Sequence, residues 1–195
     1  MTAVRMRPMR PTPPRRWAGV ALLLGALGAL AACTGVPRGV TPVDGFEADR
    51  FTGTWYEIMR LDHPFEAGLT NVRATYRLRD DGTVAVFNRG WDPAACAWKT
   101  IGGTARFREG PQTGSFAVTL TSPIPGALHV VALDREDYRW AMTSGPTRDF
   151  LWILARERTL PRETRVALMR QARDLGYPVE DLRLVDQSGP VCRER

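Results

Sequence analysis

Side-chain catalysis needs a nucleophile with a base to activate it, or a set of metal ligands. The 195 residues contain two histidines, His63 and His129. His129 alternates with Leu128 and Val130 and so faces away from a dry interior, while His63 stands in a loop before Pro64. No His/Cys or His/carboxylate spacing matches a zinc site or a catalytic triad. An enzyme, a metal and a cofactor are therefore not expected. The remaining chemistry belongs to three thiols, Cys33, Cys96 and Cys192. Cys96 and Cys192 lie beside turn-forming residues, Asp92-Pro93 and Gly189-Pro190. In an exported protein such a pair suggests one disulfide; the alternative is two separate free thiols.

Export is decided at the start of the chain. Arg5, Arg7, Arg10, Arg15 and Arg16, with no acid among them, precede an apolar stretch from Trp17 to Ala32. This charged and then apolar arrangement has signal-peptide length, too short for a helix across a bilayer core of about 30 Å. The stretch ends in Leu30-Ala31-Ala32-Cys33, which resembles the lipobox of bacterial lipoproteins, cut before a cysteine that carries diacylglycerol. The alternative is an ordinary signal peptide whose first mature residue is a cysteine. The resemblance implies a signal peptide over 1–32, lipidation at Cys33, and attachment to a membrane through acyl chains worth about 0.8 kcal/mol per buried CH₂. Thr34, where an Asp would signal retention, favours the outer membrane. Arg15-Arg16 also admits a twin-arginine signal, against which stand the flanking prolines and the missing consensus.

Removal of that segment changes the meaning of the charge. The chain has 27 Lys and Arg against 21 Asp and Glu, and five of the arginines precede Cys33, so 22 against 21 remain. The high pI thus belongs to the signal and gives no argument for nucleic-acid binding. Residues 33–45, rich in Pro and Gly, read as a flexible tether ahead of one domain over 46–195.

Within that domain, β-like runs fall near 52–61, 70–79, 83–91, 97–107, 114–121, 127–134, 138–144 and 149–156, separated by turn signals such as Asp80-Asp81-Gly82. Eight sequential antiparallel strands favour an up-and-down barrel or a sandwich. Val72, Ala74, Tyr76 and Leu78 alternate with polar neighbours, and Phe116, Val118 and Leu120 alternate with Ala117, Thr119 and Thr121. The eighth run, Phe150 to Arg156, is apolar on both faces and needs a cover. A helix between Pro161 and Gly176, with Val166, Met169, Ala172 and Leu175 as its apolar stripe, supplies one. A last short strand, Leu182 to Val185, is expected near the first.

Gly53-Thr54-Trp55-Tyr56-Glu57-Ile58 resembles the opening motif of lipocalins, a Gly-x-Trp at the closed end of a barrel, and Arg156 ends the eighth run where that family places a cation over the tryptophan. Phe65-Glu66-Ala67-Gly68-Leu69, Tyr76 to Gly82 and Gly145 to Leu154 are similar to the bacterial outer-membrane lipocalins, relatives of apolipoprotein D. The resemblance covers about residues 46–186. It implies an all-β fold, an eight-stranded antiparallel up-and-down lipocalin β-barrel with one C-terminal α-helix packed outside. It also implies one small apolar ligand, commonly a fatty acid or lysophospholipid, carried or stored for envelope lipid maintenance. A departure is the pair Cys96 and Cys192, which looks more like the disulfide of animal lipocalins. Haem or another tetrapyrrole, and a structural lipoprotein with a filled barrel, are the alternatives. A homodimer is left open.

Inward alternation nominates Met59, Tyr76, Val86, Asn88, Phe107, Val118, Leu120, Val130, Phe150 and Trp152 as ligand-binding residues, with Gly53, Trp55 and Arg156 as a structural signature. Small inward residues, Ala74, Gly103 and Ala105, leave room. An inward Trp55 also turns Glu57 inward, where a carboxylate is costly unless paired or neutral. Glu57 is read as satisfied by backbone donors near the floor, with a headgroup anchor as the alternative; Asn88 stands evenly between the two.

Overall fold

Alternation of apolar and polar residues builds the strands, and they form close to where it places them. The computed structural model describes residues 35–120 and 126–192; the expected signal peptide and Cys33 lie outside the described residues. The strands are β1 Gly53–Leu61, β2 Thr70–Leu78, β3 Val84–Asp92, β4 Ala97–Phe107, β5 Ser115–Thr119, β6 Gly126–Leu133, β7 Trp140–Ser144, β8 Leu151–Ala155 and β9 Leu182–Leu184. Each of β1 to β8 pairs antiparallel with its sequence neighbour, and β1 pairs with both β2 and β8, which closes the barrel.

Two apolar clusters result. The inner faces enclose Trp55, Tyr76, Val86, Phe116 and Leu154, while Met142, Leu151 and Ile153 face the C-terminal helix. A short helix α1, Ala48–Phe51, leads into β1; α2, Arg162–Asp174, covers β8. Gly176, at φ +83°, ends α2 with Tyr177 N donating to Ala172 O at 3.0 Å, a left-handed position that a side chain resists. The buried stripe of α2 centres on Leu168 and Ala172, flanked by Met169 and Leu175. Val166, expected in that stripe, is 44% exposed. At about 100° per residue it stands some 120° round the helix from Ala172.

Residues 35–45, expected as a flexible tether, are packed on the barrel. Val40, Val43 and Phe46 are buried, and Val43 bridges two strands, its N donating to Val130 O at 2.8 Å and its O accepting from Gly114 N at 2.9 Å. A Cβ at Gly114 would meet Val43 and Val130 at 2.9 Å, so the segment lies against bare backbone there. His129 does face out of the barrel, yet it is fully buried beneath this segment, with Nε2 3.0 Å from Gly35 O and Nδ1 3.1 Å from Ser115 Oγ.

The C-terminal tail mends a seam. β1 and β2 pair from Gly53↔Tyr76 to Tyr56↔Arg73 and then part. Into the gap come β9, paired with β1, and Gln187, whose Nε2 donates at 2.8 Å to both Glu57 O and Val72 O. Asn71 Nδ2 donates to Gly189 O, Trp91 Nε1 donates to Val191 O, and a disulfide joins Cys192 to Cys96 in the β3–β4 turn. The tail therefore belongs to the barrel wall.

Candidate ligand-binding cavity

The closed end is built first from β1 and β8. Trp55 is fully buried, its Nε1 donates to Phe51 O at 2.8 Å, and the Arg156 guanidinium carbon lies 3.8 Å from its ring centre. Arg156 also donates to Thr54 O at 3.0 Å and Arg50 O at 2.6 Å, so it ties β1, α1 and β8 together beneath the floor. Gly53, at φ +95°, passes so near that a Cβ would stand 3.3 Å from Arg156 Nη1. The stacked cation contributes roughly 0.5–2 kcal/mol. Phe46 and Phe51 fill the space above, with ring centres 5.7 Å from Phe116 and 5.2 Å from Tyr76 respectively.

Over that plug the barrel is not filled. A cavity of about 380 Å³ remains, within the 300–1,000 Å³ usual for small-molecule sites. Tyr76, Val86, Asn88, Val118, Leu120, Phe150 and Trp152 line it, joined by Val72, Ala74, Leu128 and Leu154. Three nominated residues lie elsewhere. Met59 packs between the barrel and α2, because an extra residue at Ile58 shifts the register between Glu57↔Leu154 and Met59↔Ile153 and turns every later side chain of β1 to the opposite face. Phe107, its ring centre 4.7 Å from that of Phe116, and Val130, against Val43, point inward but are taken up in the plug made by the N-terminal segment. Of the small residues, Ala74 borders the cavity, whereas a Cβ at Gly103 would stand 2.9 Å from the Cα of Leu120, so Gly103 admits a neighbouring strand and makes no room for ligand.

The same bulge sets a polar strip into the wall. Glu57 faces the cavity and Arg60, three residues on, turns to the same side; on a regular strand the two would point apart. Arg60 Nη1 donates to Glu57 Oε1 at 2.8 Å and Nη2 to Glu66 O at 2.8 Å. Glu57 is thus held by a side-chain cation and not by backbone donors. Burial, with the nearby Glu66 carboxylate, pushes the Glu57 carboxyl well above its ordinary range against the pull of Arg60. Glu66 comes from the β1–β2 loop, where its Oε2 accepts from Trp152 Nε1 at 3.1 Å and lies 3.0 Å from His63 Nε2. His63, Phe65, Phe150 and Trp152 form an aromatic group here, with Phe65 61% exposed. Thr143 also lines the cavity, and its Oγ1 has no hydrogen-bond partner among the described residues. Glu66, Arg60 and Thr143 carry no local sequence signal for these places.

Residues 46–187 match the family model described as a lipocalin-like domain. The chain is 46% identical over 153 residues to the outer membrane lipoprotein Blc of Citrobacter freundii, covering 78% of this chain and 86% of that one. It is 29% identical over 153 residues to apolipoprotein D of Cavia porcellus, covering 74% and 79%. Among solved structures, insecticyanin from the tobacco hornworm Manduca sexta aligns with a TM-score of 0.64 at 18% identity, covering 82% of this chain and 90% of that one.

Proposed function

The chain belongs to the lipocalin family, and from that membership we propose that it holds one long-chain acyl lipid, a fatty acid or a lysophospholipid, in its cavity. It is an outer-membrane lipoprotein of that family. The observation that carries the reading is a space of about 380 Å³, walled by aliphatic and aromatic side chains above a sealed floor. An acyl chain entering it gains about 0.8 kcal/mol per buried CH₂. The seven nominated lining residues, Tyr76, Val86, Asn88, Val118, Leu120, Phe150 and Trp152, are the proposed contacts, and the polar strip of Glu57, Arg60 and Glu66 receives the polar end. The role is carriage, with Cys33 as the lipidated anchor once residues 1–32 are removed.

Displacement of a fluorescent fatty acid by competitors of increasing chain length tests this. Affinity rises with length until the cavity is full, and Val118→Asp or Leu120→Asp, which sets a charge against the chain, abolishes most of it. Affinity independent of length, or no long-chain lipid bound below about 100 μM, a modest −5 to −6 kcal/mol, overturns the proposal. Cys33→Ser leaves the protein in the soluble fraction; continued fractionation with membranes contradicts the anchor.

A further inference from the structure

We propose that the outer face of β2, β3 and β4 docks on an anionic lipid bilayer. The register places Arg73 opposite Arg89, Thr75 opposite Phe87 and Arg77 opposite Ala85, and on the next strand Ala85 opposite Thr104 and Phe87 opposite Gly102. Arg106 follows two residues after Thr104 on the same side. Arg73, Arg77, Arg89 and Arg106 thus share one sheet face, joined at its edge by Arg79, whose Nη1 donates to Thr104 Oγ1 at 3.0 Å; the alternate positions, Ala74, Tyr76 and Val86, look into the barrel. Among the described residues none of the five reaches a carboxylate at ion-pair distance. Of the carboxylates at the margins, Asp92 pairs with Lys99 at 2.7 Å, while that of Asp81 is held below its ordinary range by hydrogen bonds from Thr83 and more weakly by Arg79 and Arg106.

Like charges directly across a strand pair, as at Arg73 and Arg89, destabilise a sheet. The protein softens this by laying Arg89 and Arg73 over the Trp98 ring, at 4.0 and 5.7 Å, but supplies no anion. Between the arginines Phe87 is 49% exposed, beside the bare backbone of Gly102. Guanidinium groups around a protruding aromatic ring suit a surface with phosphate at its boundary and acyl chains beneath. The chain from Cys33 on is nearly neutral, so this face is an asymmetry and not a share of a general positive charge. The anchor keeps the barrel at a membrane surface. Gly35 is fastened to His129 on β6, and Ser115 on β5 holds the other side of that ring; β5 is next to β4 in the sheet. Cys33 precedes Gly35 by two residues, a reach of at most about 7 Å, so the β5–β6 side of the wall stays within roughly a Debye length of the membrane that holds the lipid, and a turn of the barrel about that short tether brings the neighbouring β2–β4 face onto it.

Co-sedimentation with vesicles tests the proposal, using the chain from Thr34 on, which contains the complete barrel and no lipid anchor. It binds vesicles of phosphatidylglycerol and phosphatidylcholine in equal parts, does not bind phosphatidylcholine alone, and is released by salt. Arg77→Ala with Arg106→Ala, both exposed and outside the cavity, lowers binding about 25-fold, near fivefold for each arginine. Phe87→Ala lowers it further. The same samples bind fluorescent fatty acid as the unmodified protein does, which separates this surface from the carrier reading. Equal binding to both kinds of vesicle, or a double variant that binds as well as its parent, overturns the proposal. So does sedimentation showing a dimer that the double variant loses, which would assign the face to a second copy of the chain.

Discussion

Glu57→Gln isolates the cost of a carboxylate in the cavity wall. Glu57 is 4% exposed, has Arg60 at 2.8 Å, and feels the Glu66 carboxylate from the other side. Burial, the largest influence, raises its pKa in the folded protein. Stability from such a group is fully present below its unfolded value, near 4.3, and is lost as pH rises through the folded value. Each pH unit over which the folded chain keeps a proton that the unfolded chain has released costs roughly 1.4 kcal/mol. Between pH 5 and pH 7 this comes to at most about 3 kcal/mol, and nearer 1 where Arg60 recovers part of it. Glutamine keeps an acceptor for Arg60 and does not titrate. The Arg60 guanidinium, still 3.3 Å from Asp62, is a constant offset, and the histidines are common to both proteins. Urea unfolding at the two pH values should therefore show the variant improving against its parent by about 1–3 kcal/mol from pH 5 to pH 7. A difference that does not change with pH, or that moves the other way, refutes the reasoning that burial dominates this site.

Trp55→Ala is expected to cost about 3–5 kcal/mol in denaturant unfolding, with ligand binding lost only as the fold is lost; a stable variant lacking only its ligand would move Trp55 into the binding site. Replacing Cys96 and Cys192 together by Ser opens a loop with a sequence separation of 96 and should destabilise by about 2–5 kcal/mol. Because the tail fills the β1–β2 seam beside Glu57 and Val72, stopped-flow measurement should also show faster ligand release; an unchanged rate would mean that the tail holds without its disulfide. For His129 burial lowers the pKa, so its contribution to stability is present above the unfolded value near 6.5 and is lost as pH falls through the folded one. An NMR titration should find it neutral where a free imidazole is already half protonated, and a midpoint at or above 6.5 would contradict its burial.

The strands and the helix between Pro161 and Gly176 were legible because each rests on a local pattern, alternation or a helix stop; the Trp55–Arg156 stack was legible only through the resemblance of the residues around each to the lipocalin signature. The disulfide was legible only as one of two alternatives. What could not be read depended on single-residue events and on long-range cover. One extra residue at Ile58 moves Met59 out of the barrel and brings Arg60 in, and nothing in Glu57-Ile58-Met59-Arg60 distinguishes a bulged strand from a regular one. Val40, Val43 and Phe46 sit among prolines and glycines, a composition that reads as loose chain; their burial is evident only once the groove they fill exists. Their plug also removes Phe107 and Val130 from the cavity. Val166 stands off the buried side of α2 because strict spacing by three drifts round a helix of 3.6 residues per turn.

Mass spectrometry of organic extracts from the protein, purified without detergent exchange out of its own envelope, tests lipid carriage most directly. The result expected is one long-chain fatty acid or lysophospholipid at close to one molecule per chain, depleted in a Val118→Asp protein purified in the same way. Extracts without lipid from a folded, disulfide-bonded protein, or a bound chromophore with a Soret band, would contradict it.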